Sequence, residues 1–181
     1  MNNLKKFSLT VFIICVVLLA FVIPSLYEKI DLFGKEVRVN SCPVADVYNI
    51  NPQEIERLIN VKRRERDLSQ LTNNKLLVKS SVLKAREMVE QSYFAHKSPD
   101  GSEPWDFFDE AGYKNWYYVG ENLARGYLTS ERIVDGWMNS DGHREIMLNK
   151  DITEMGVGID FAIEAGGKPS PYVVLHVGKP K

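Results

Sequence analysis

His96, Glu121 and His143 are the residues of this chain whose types could do chemistry together. A lone histidine is usually a satisfied polar group, so the local setting decides. His96 precedes Ser98-Pro99-Asp100-Gly101, where proline fits the second position and glycine the fourth of a type I turn. Glu121 follows Gly120 in an extended stretch, and His143 follows Asp141-Gly142 at a helix start or bend. Such positions let a fixed backbone aim side chains into a cleft. Two imidazoles and a carboxylate suit a divalent cation with open positions, Zn2+ being the foremost candidate. His96, His143 and Glu121 are therefore the candidate metal ligands. Glu121 would serve as a ligand, as a carboxylate orienting a histidine, or as the holder of a water. The candidate catalytic residues are Glu121, His143 and Ser140. A metal-bound water with Glu121 as general base is one hydrolytic route. A Ser140–His143–Glu121 relay is another, since Ser140 and His143 are three positions apart and can share a helix face. Neither a Gly-x-Ser-x-Gly elbow nor a His-Glu-x-x-His motif supports either route. His176 lies in a late β-rich run, where parity alone turns it to cleft or solvent, and it reads as structural.

These side chains need elements to hold them. Asn51-Pro52-Gln53-Glu54 is a helix start, with Asn51 as cap and Glu54 placed to reach back, and the helix should end near Asp67. After a polar break at 71–74, a second helix is expected from Lys75 to Tyr93, with a core stripe of Leu76, Leu83, Met88 and Val89 helped by Val82 and Ala85. A short helix from Pro104 to Ala111 ends at Gly112, with Trp105, Phe107 and Phe108 read as core. Residues 117–122 read as extended. Ser130 can cap a helix carrying Ile133, Val134 and Trp137, with Trp137 in the core. Asn122 is expected to fix the Glu121 stretch through backbone hydrogen bonds, and Arg144 to pair with Asp141, Glu145 or a carboxylate at the cleft rim. Residues 155–161 alternate like a strand, Gly166-Gly167 is a turn, and 172–177 is a second β-rich run. Helices first and strands last give an α+β class with an antiparallel sheet.

The chain has 181 residues and a formal net charge of -1, enough for one domain and an accessory segment. That balance leaves no electrostatic footprint for nucleic acid. Both cysteines, Cys15 and Cys42, precede the globular part, which therefore has no internal disulfide, thiolate nucleophile or cysteine-ligated zinc. Cys42 reads as an unpaired or intermolecular thiol. From Phe7 to Tyr27 there is no charge, and roughly 20 apolar residues can span a bilayer as a helix. Lys5 and Lys6 before it favour a cytoplasmic tail at 1–6 and an extracytoplasmic remainder. The expected organisation is a signal anchor at 7–27, a linker at 28–50 and a domain at 51–181. The chain is then a single-pass cell-membrane protein, or secreted if the N-terminal segment is cleaved.

Four stretches together carry a resemblance. Phe94-Ala95-His96-Lys97-Ser98-Pro99-Asp100-Gly101 resembles an FxHxSPDG signature, and Gly120-Glu121-Asn122-Leu123-Ala124 a GENLA signature. Trp137-Met138-Asn139-Ser140-Asp141-Gly142-His143-Arg144 resembles WxxSxGHR, and Met155-Gly156-Val157-Gly158 the xGVG strand that follows. Their order and spacing over about 51–178 are similar to those of the CAP superfamily of cysteine-rich secretory, antigen 5 and pathogenesis-related proteins, in its short bacterial branch. The resemblance implies an α-β-α sandwich with a small three-stranded antiparallel sheet between helices. It also implies a cleft tetrad of two histidines and two acids, mapping onto His96, His143 and Glu121. The second acid is expected after Trp137, where this chain has Ser140. Asp141 is adjacent, but neighbouring helix positions point about 100° apart. Cation binding through the two histidines is implied as well. Family members are linked to sterol and lipid binding, extracellular recognition and proteolysis, with no shared activity established. The expectation is a recognition module for a lipid, peptide or cell-envelope component, with a metal- or Ser/His-dependent hydrolase as the alternative.

Overall fold

The computed structural model describes residues 48–181. The expected transmembrane helix at 7–27 and most of the expected linker lie outside these residues. Among the described residues no helix is long and apolar enough to cross a membrane. Backbone pairing begins at Asn49, whose N–H donates to the Leu128 carbonyl at 2.9 Å and whose carbonyl accepts from Ser130 at 3.1 Å.

Helix α1 (Pro52–Arg64) starts as the sequence dictates, with the Asn51 side chain accepting from the Glu54 N–H at 3.1 Å. Glu54 pairs with Arg57 rather than reaching back to the cap, and the helix stops short of Asp67. The segment read as a polar break holds a two-residue strand, β1 (Thr72–Asn73). Helix α2 (Lys75–Glu90) follows, capped by Asn74 and ending before Tyr93. Then come α3 (Pro104–Ala111), ended by Gly112 at a left-handed φ of 96°, and β2 (Trp116–Arg125). Helices α4 (Ser130–Met138) and α5 (Asp141–Leu148) precede β3 (Glu154–Ile163) and β4 (Pro169–Pro180). Thr129, not Ser130, caps α4, and Ser130 instead accepts from the Asn51 N–H at 3.0 Å, joining the starts of α1 and α4.

The strands run in the order β1-β3-β4-β2, with β3/β4 and β4/β2 antiparallel and β1 parallel to β3. The sheet thus has a fourth, short parallel strand beyond the expected three. Helices cover both of its faces. On one face Val173, Leu175 and Val177 of β4 pack with Ile59, Ile133 and Met147 of α1, α4 and α5. On the other, Tyr172 and Val174 pack with Ala85 and Met88 of α2, and Phe108 and Tyr113 close over Leu77.

The buried face of α2 keeps only Met88 and Ala85 of the expected apolar stripe, with Val89 packed at its border. It consists of Leu77, Ser80, Ser81, Lys84, Ala85 and Met88, while Leu76 is exposed. The cause is the close crossing of α2 over β3. A Cβ on Gly156 would stand 2.2 Å from the Val78 nitrogen, and one on Gly158 would stand 2.3 Å from the Ser81 carbonyl carbon. Glycines on the strand and serines on the helix let the two backbones meet.

Candidate functional site

The cleft lies beside β2, between α3 and α5, with a volume of about 410 Å³. His96, Glu121, Ser140 and His143 contribute its polar groups, and Trp105, Phe108 and Ile146 are among its apolar ones. All four sequence candidates therefore reach one cavity. Gly120 allows this: a Cβ there would stand 3.2 Å from Ile146 of α5 and from Val177 of β4.

Glu121 is the hub. It is 5% exposed, and each carboxylate oxygen accepts from a different imidazole. Oε1 takes His96 Nδ1 at 2.6 Å, and Oε2 takes His176 Nε2 at 2.9 Å. His176 is fully buried, its Nδ1 2.7 Å from Ser80 Oγ, and Phe108 stacks on its ring at 4.2 Å between centroids. Burial pushes the Glu121 carboxyl up, but the hydrogen bonds from His176 and His96 outweigh it and hold the group below its ordinary range. The bond to Glu121 raises His96 against the opposing effect of burial. Burial holds His176 down despite Glu121, and burial followed by the nearby His96 charge holds His143 down.

The turn that presents His96 is held from below. Ser98 Oγ donates to Glu87 at 3.0 Å and accepts from Lys84 Nζ at 3.3 Å, and Lys84 also donates to Tyr93 Oη at 2.7 Å. Lys84 is buried against the rings of Tyr93 and Phe107. Burial lowers its ammonium pKa, while Glu121, Glu87 and Asp100 pull it back up. The turn itself closes with the Gly101 N–H donating to the Ser98 carbonyl at 3.0 Å.

On the other wall, Ser140 is the N-cap of α5, but its hydroxyl makes no cap hydrogen bond. Asn122 crosses from β2 to this helix, donating from Nδ2 to the His143 carbonyl at 3.0 Å rather than bracing the Glu121 stretch. Its buried Oδ1 has no partner among the described residues. Arg144 pairs with Asp141, one of its expected partners, which keeps that exposed carboxylate away from the cleft as a second acid.

The structure assembles only part of what the sequence suggested. Both Glu121 oxygens are engaged by His96 and His176, so Glu121 does not join His143 and Ser140 in a relay. Among the described residues no three of the His, Cys, Asp and Glu side chains are grouped to hold one metal ion. The donor set therefore does not fit a three-ligand site through His96, His143 and Glu121. It is compatible with two imidazoles, with Glu121 behind the first. Trp105, expected in the core, is 48% exposed and stands at the cleft. Its neighbours Phe107 and Phe108 are buried as expected, and so is Trp137, whose Nε1 donates to the Leu123 carbonyl at 2.9 Å. Sequence reasoning missed His176 as a partner of Glu121, and Ser80 as the partner of His176. A signal existed: His176 interrupts the apolar run Val173-Val174-Leu175-His176-Val177, and a polar group buried there needs a partner.

The sequence and the fold have counterparts in known proteins. A family model described as "Cysteine-rich secretory protein family" (CAP) matches residues 56–174. Two Bacillus subtilis (strain 168) proteins are similar. "Uncharacterized protein YkwD" is 37% identical over 127 residues, which cover 70% of this chain and 47% of the relative. "Uncharacterized membrane protein YlbC" is 32% identical over 114 residues, covering 63% of this chain and 33% of the relative. The chain thus spans less than half the length of either. Among solved structures, an extracellular protein containing an SCP domain from Bacillus anthracis str. Ames aligns with a TM-score of 0.62 at 25% identity, over 72% of this chain and 40% of that one. An outer surface protein from Borrelia burgdorferi aligns with a TM-score of 0.60 at 23% identity, over 71% of this chain and 92% of that one. With four signature stretches, the sheet between helices and the family match in agreement, the chain belongs to the CAP (cysteine-rich secretory protein) family.

Proposed function

We propose that the protein is an extracytoplasmic recognition module, tethered to the cell membrane by an N-terminal helix at 7–27, whose His96/Glu121/His143 cleft binds an external ligand. The observation that carries this reading is the make-up of the cleft. It is open, about 410 Å³ in volume, walled by aromatic and aliphatic side chains and given a few convergent polar groups. That is the usual form of a ligand site. An exposed Trp105 supports it, since a large indole left in water at a cavity mouth is a ready contact surface. The names of similar proteins, membrane, extracellular and outer surface, support the placement.

The cation reading is carried by one specific contact. The 2.6 Å bond from His96 Nδ1 to Glu121 leaves Nε2 as the ring nitrogen open to a ligand. A carboxylate behind an imidazole is the arrangement that orients metal-binding histidines. His96 and His143 would then be the two protein ligands of a weakly held Zn2+ or similar ion. Titration of Zn2+ into the full chain by calorimetry tests it. The heat of binding is expected to vanish in His96→Ala and His143→Ala, and unchanged affinity in both would end the cation role. Hydrolysis through the same cleft is the alternative, with His96 as base and Glu121 behind it. It requires turnover of peptide or ester substrates that disappears in Glu121→Ala.

A further inference from the structure

We propose that the cleft takes an extended polypeptide segment, which adds as a strand to the outer edge of β2. This rests on the recognition reading above and names the class of ligand. β2 is the last strand of the sheet, paired only with β4 among the described residues. Alternate residues of a strand turn their N–H and C=O to opposite sides, so the pairing with β4 fixes which backbone groups face out.

Three contacts fix the phase. The Thr153 N–H donates to the Gly178 carbonyl at 3.0 Å, so even-numbered residues of β4 turn toward β3 and odd-numbered ones toward β2. In the β2–β4 register those odd residues oppose Gly120, Asn122 and Ala124, which therefore hold the ladder. The Gly126 N–H donating to the Pro171 carbonyl at 3.0 Å continues the same phase. The odd residues of β2 consequently face outward, and the Leu123 carbonyl confirms it by accepting from Trp137 of α4 at 2.9 Å.

The next two outward positions are Val119 and Glu121, and both line the cleft. Neither has a backbone partner on that side among the described residues. Two N–H and two C=O groups thus stand in a row along the cleft, one strand repeat apart. Val119 is half-buried and Glu121 buried, and main-chain groups so placed call for partners. A ligand that supplies donors and acceptors at the same repeat is another main chain, the mode of recognition in which a peptide extends a sheet. Its side chains would alternate between the Trp105 and Phe108 wall and the His143 and Ile146 wall. A sterol carries a single hydroxyl and an acyl chain no polar group along its length, so neither matches four groups in a row.

The test uses the full 181-residue chain in detergent micelles. The probe is a random library of acetylated, amidated pentapeptides, and the tightest retained peptide is then resynthesised with N-methyl groups on its odd or its even residues. One methylated set should bind about tenfold more weakly and the other like the parent, since only one edge meets β2. Amide exchange at Val119 and Glu121 should slow on binding, while Gly120 and Asn122, already in the ladder, stay unchanged. Val119→Pro should weaken binding by a similar factor, because it removes an outward donor and no β4 bond. Equal binding of both methylated sets, or no retained peptide, overturns strand addition. Retention that is lost in Trp105→Ala without protection of Val119 and Glu121 leaves cleft recognition standing and removes the strand. Retention unaffected by Trp105→Ala and His96→Ala removes the cleft itself.

Discussion

Glu121 is shared between an exposed imidazole, His96, and a buried one, His176. Truncation to alanine would leave the His176 N–H without an acceptor inside the protein. An unmet buried donor costs about 1–3 kcal/mol, so Glu121→Ala should lower the urea midpoint at pH 7 accordingly. An unchanged midpoint would mean that the His176 contact contributes nothing. The same residues set the sign of the pH response. Glu121 is held below its ordinary value of 4.5, so its contribution is present above that pH and fades as pH falls through the folded value. His176 is held below 6.5, so under that pH the unfolded chain takes up a proton that the native state refuses, and stability falls with pH. His96 is raised, so its contribution is full below 6.5 and is lost as pH rises through the folded value. Stability should therefore decline on the acid side of pH 6.5, and that slope should shrink in His176→Phe; an unaltered slope would remove His176 from the account. At this scale the sequence was most legible. His96, Glu121, Ser140 and His143 all reach the cleft because a turn, a glycine and a helix start aim them. His176 stayed hidden because a strand's parity assigns a face only after its register is known.

The elements show where hydrophobic pattern misleads. Leu76, Leu83 and Val89 look like the core stripe of α2, yet the helix turns Ser80, Ser81 and Lys84 inward. Apolarity finds Met88 and Ala85 but not the rest of the buried face, because the helix approaches β3 backbone to backbone, and closeness there matters more than apolar content. The glycines of Met155-Gly156-Val157-Gly158 were readable as a strand, but their use was not, because it depends on an element some 75 residues earlier in the chain. Gly156→Ala should therefore be strongly destabilising. The added carbon meets main chain at 2.2 Å, which no side-chain rotation relieves, so a loss of about 1–3 kcal/mol or more is expected. Gly142→Ala in α5 is the matched comparison, with nothing within 4 Å of the new carbon. It should be neutral or stabilising by roughly 0.5–1 kcal/mol, as alanine for glycine in a helix usually is. Thermal or urea unfolding of the two variants side by side reads the difference, and equal effects would overturn the close-crossing explanation. The same reasoning explains β1: a two-residue parallel strand has no period to detect, and it forms only because β3 offers an edge at Glu154 and Met155.

For the whole molecule, the proposed arrangement is a cleft domain held outside the membrane by its N-terminal helix. The α+β class was legible from the helical periods and the two C-terminal β-rich runs, but β1 and β2 fall among the helices, and the order of strands was set by pairings that composition does not encode. The two cysteines make the membrane arrangement testable without engineering. Cys15 lies inside the uncharged stretch from Phe7 to Tyr27, and Cys42 lies between that stretch and the domain. A spanning helix shields a thiol near its middle from water, while a thiol beyond the outer boundary meets the medium. The two lysines before the stretch should keep the N-terminus in the cytoplasm. Intact cells producing the chain, treated with a mild reductant and then with a membrane-impermeant maleimide, should therefore carry one label, at Cys42, on protein that stays with the membrane after alkaline extraction. Label at Cys42 on protein found in the medium and lacking Cys15 would show cleavage and make the domain a secreted one. Absence of label until the cells are opened would put Cys42 and the domain inside, and would remove the external ligand from the proposed function.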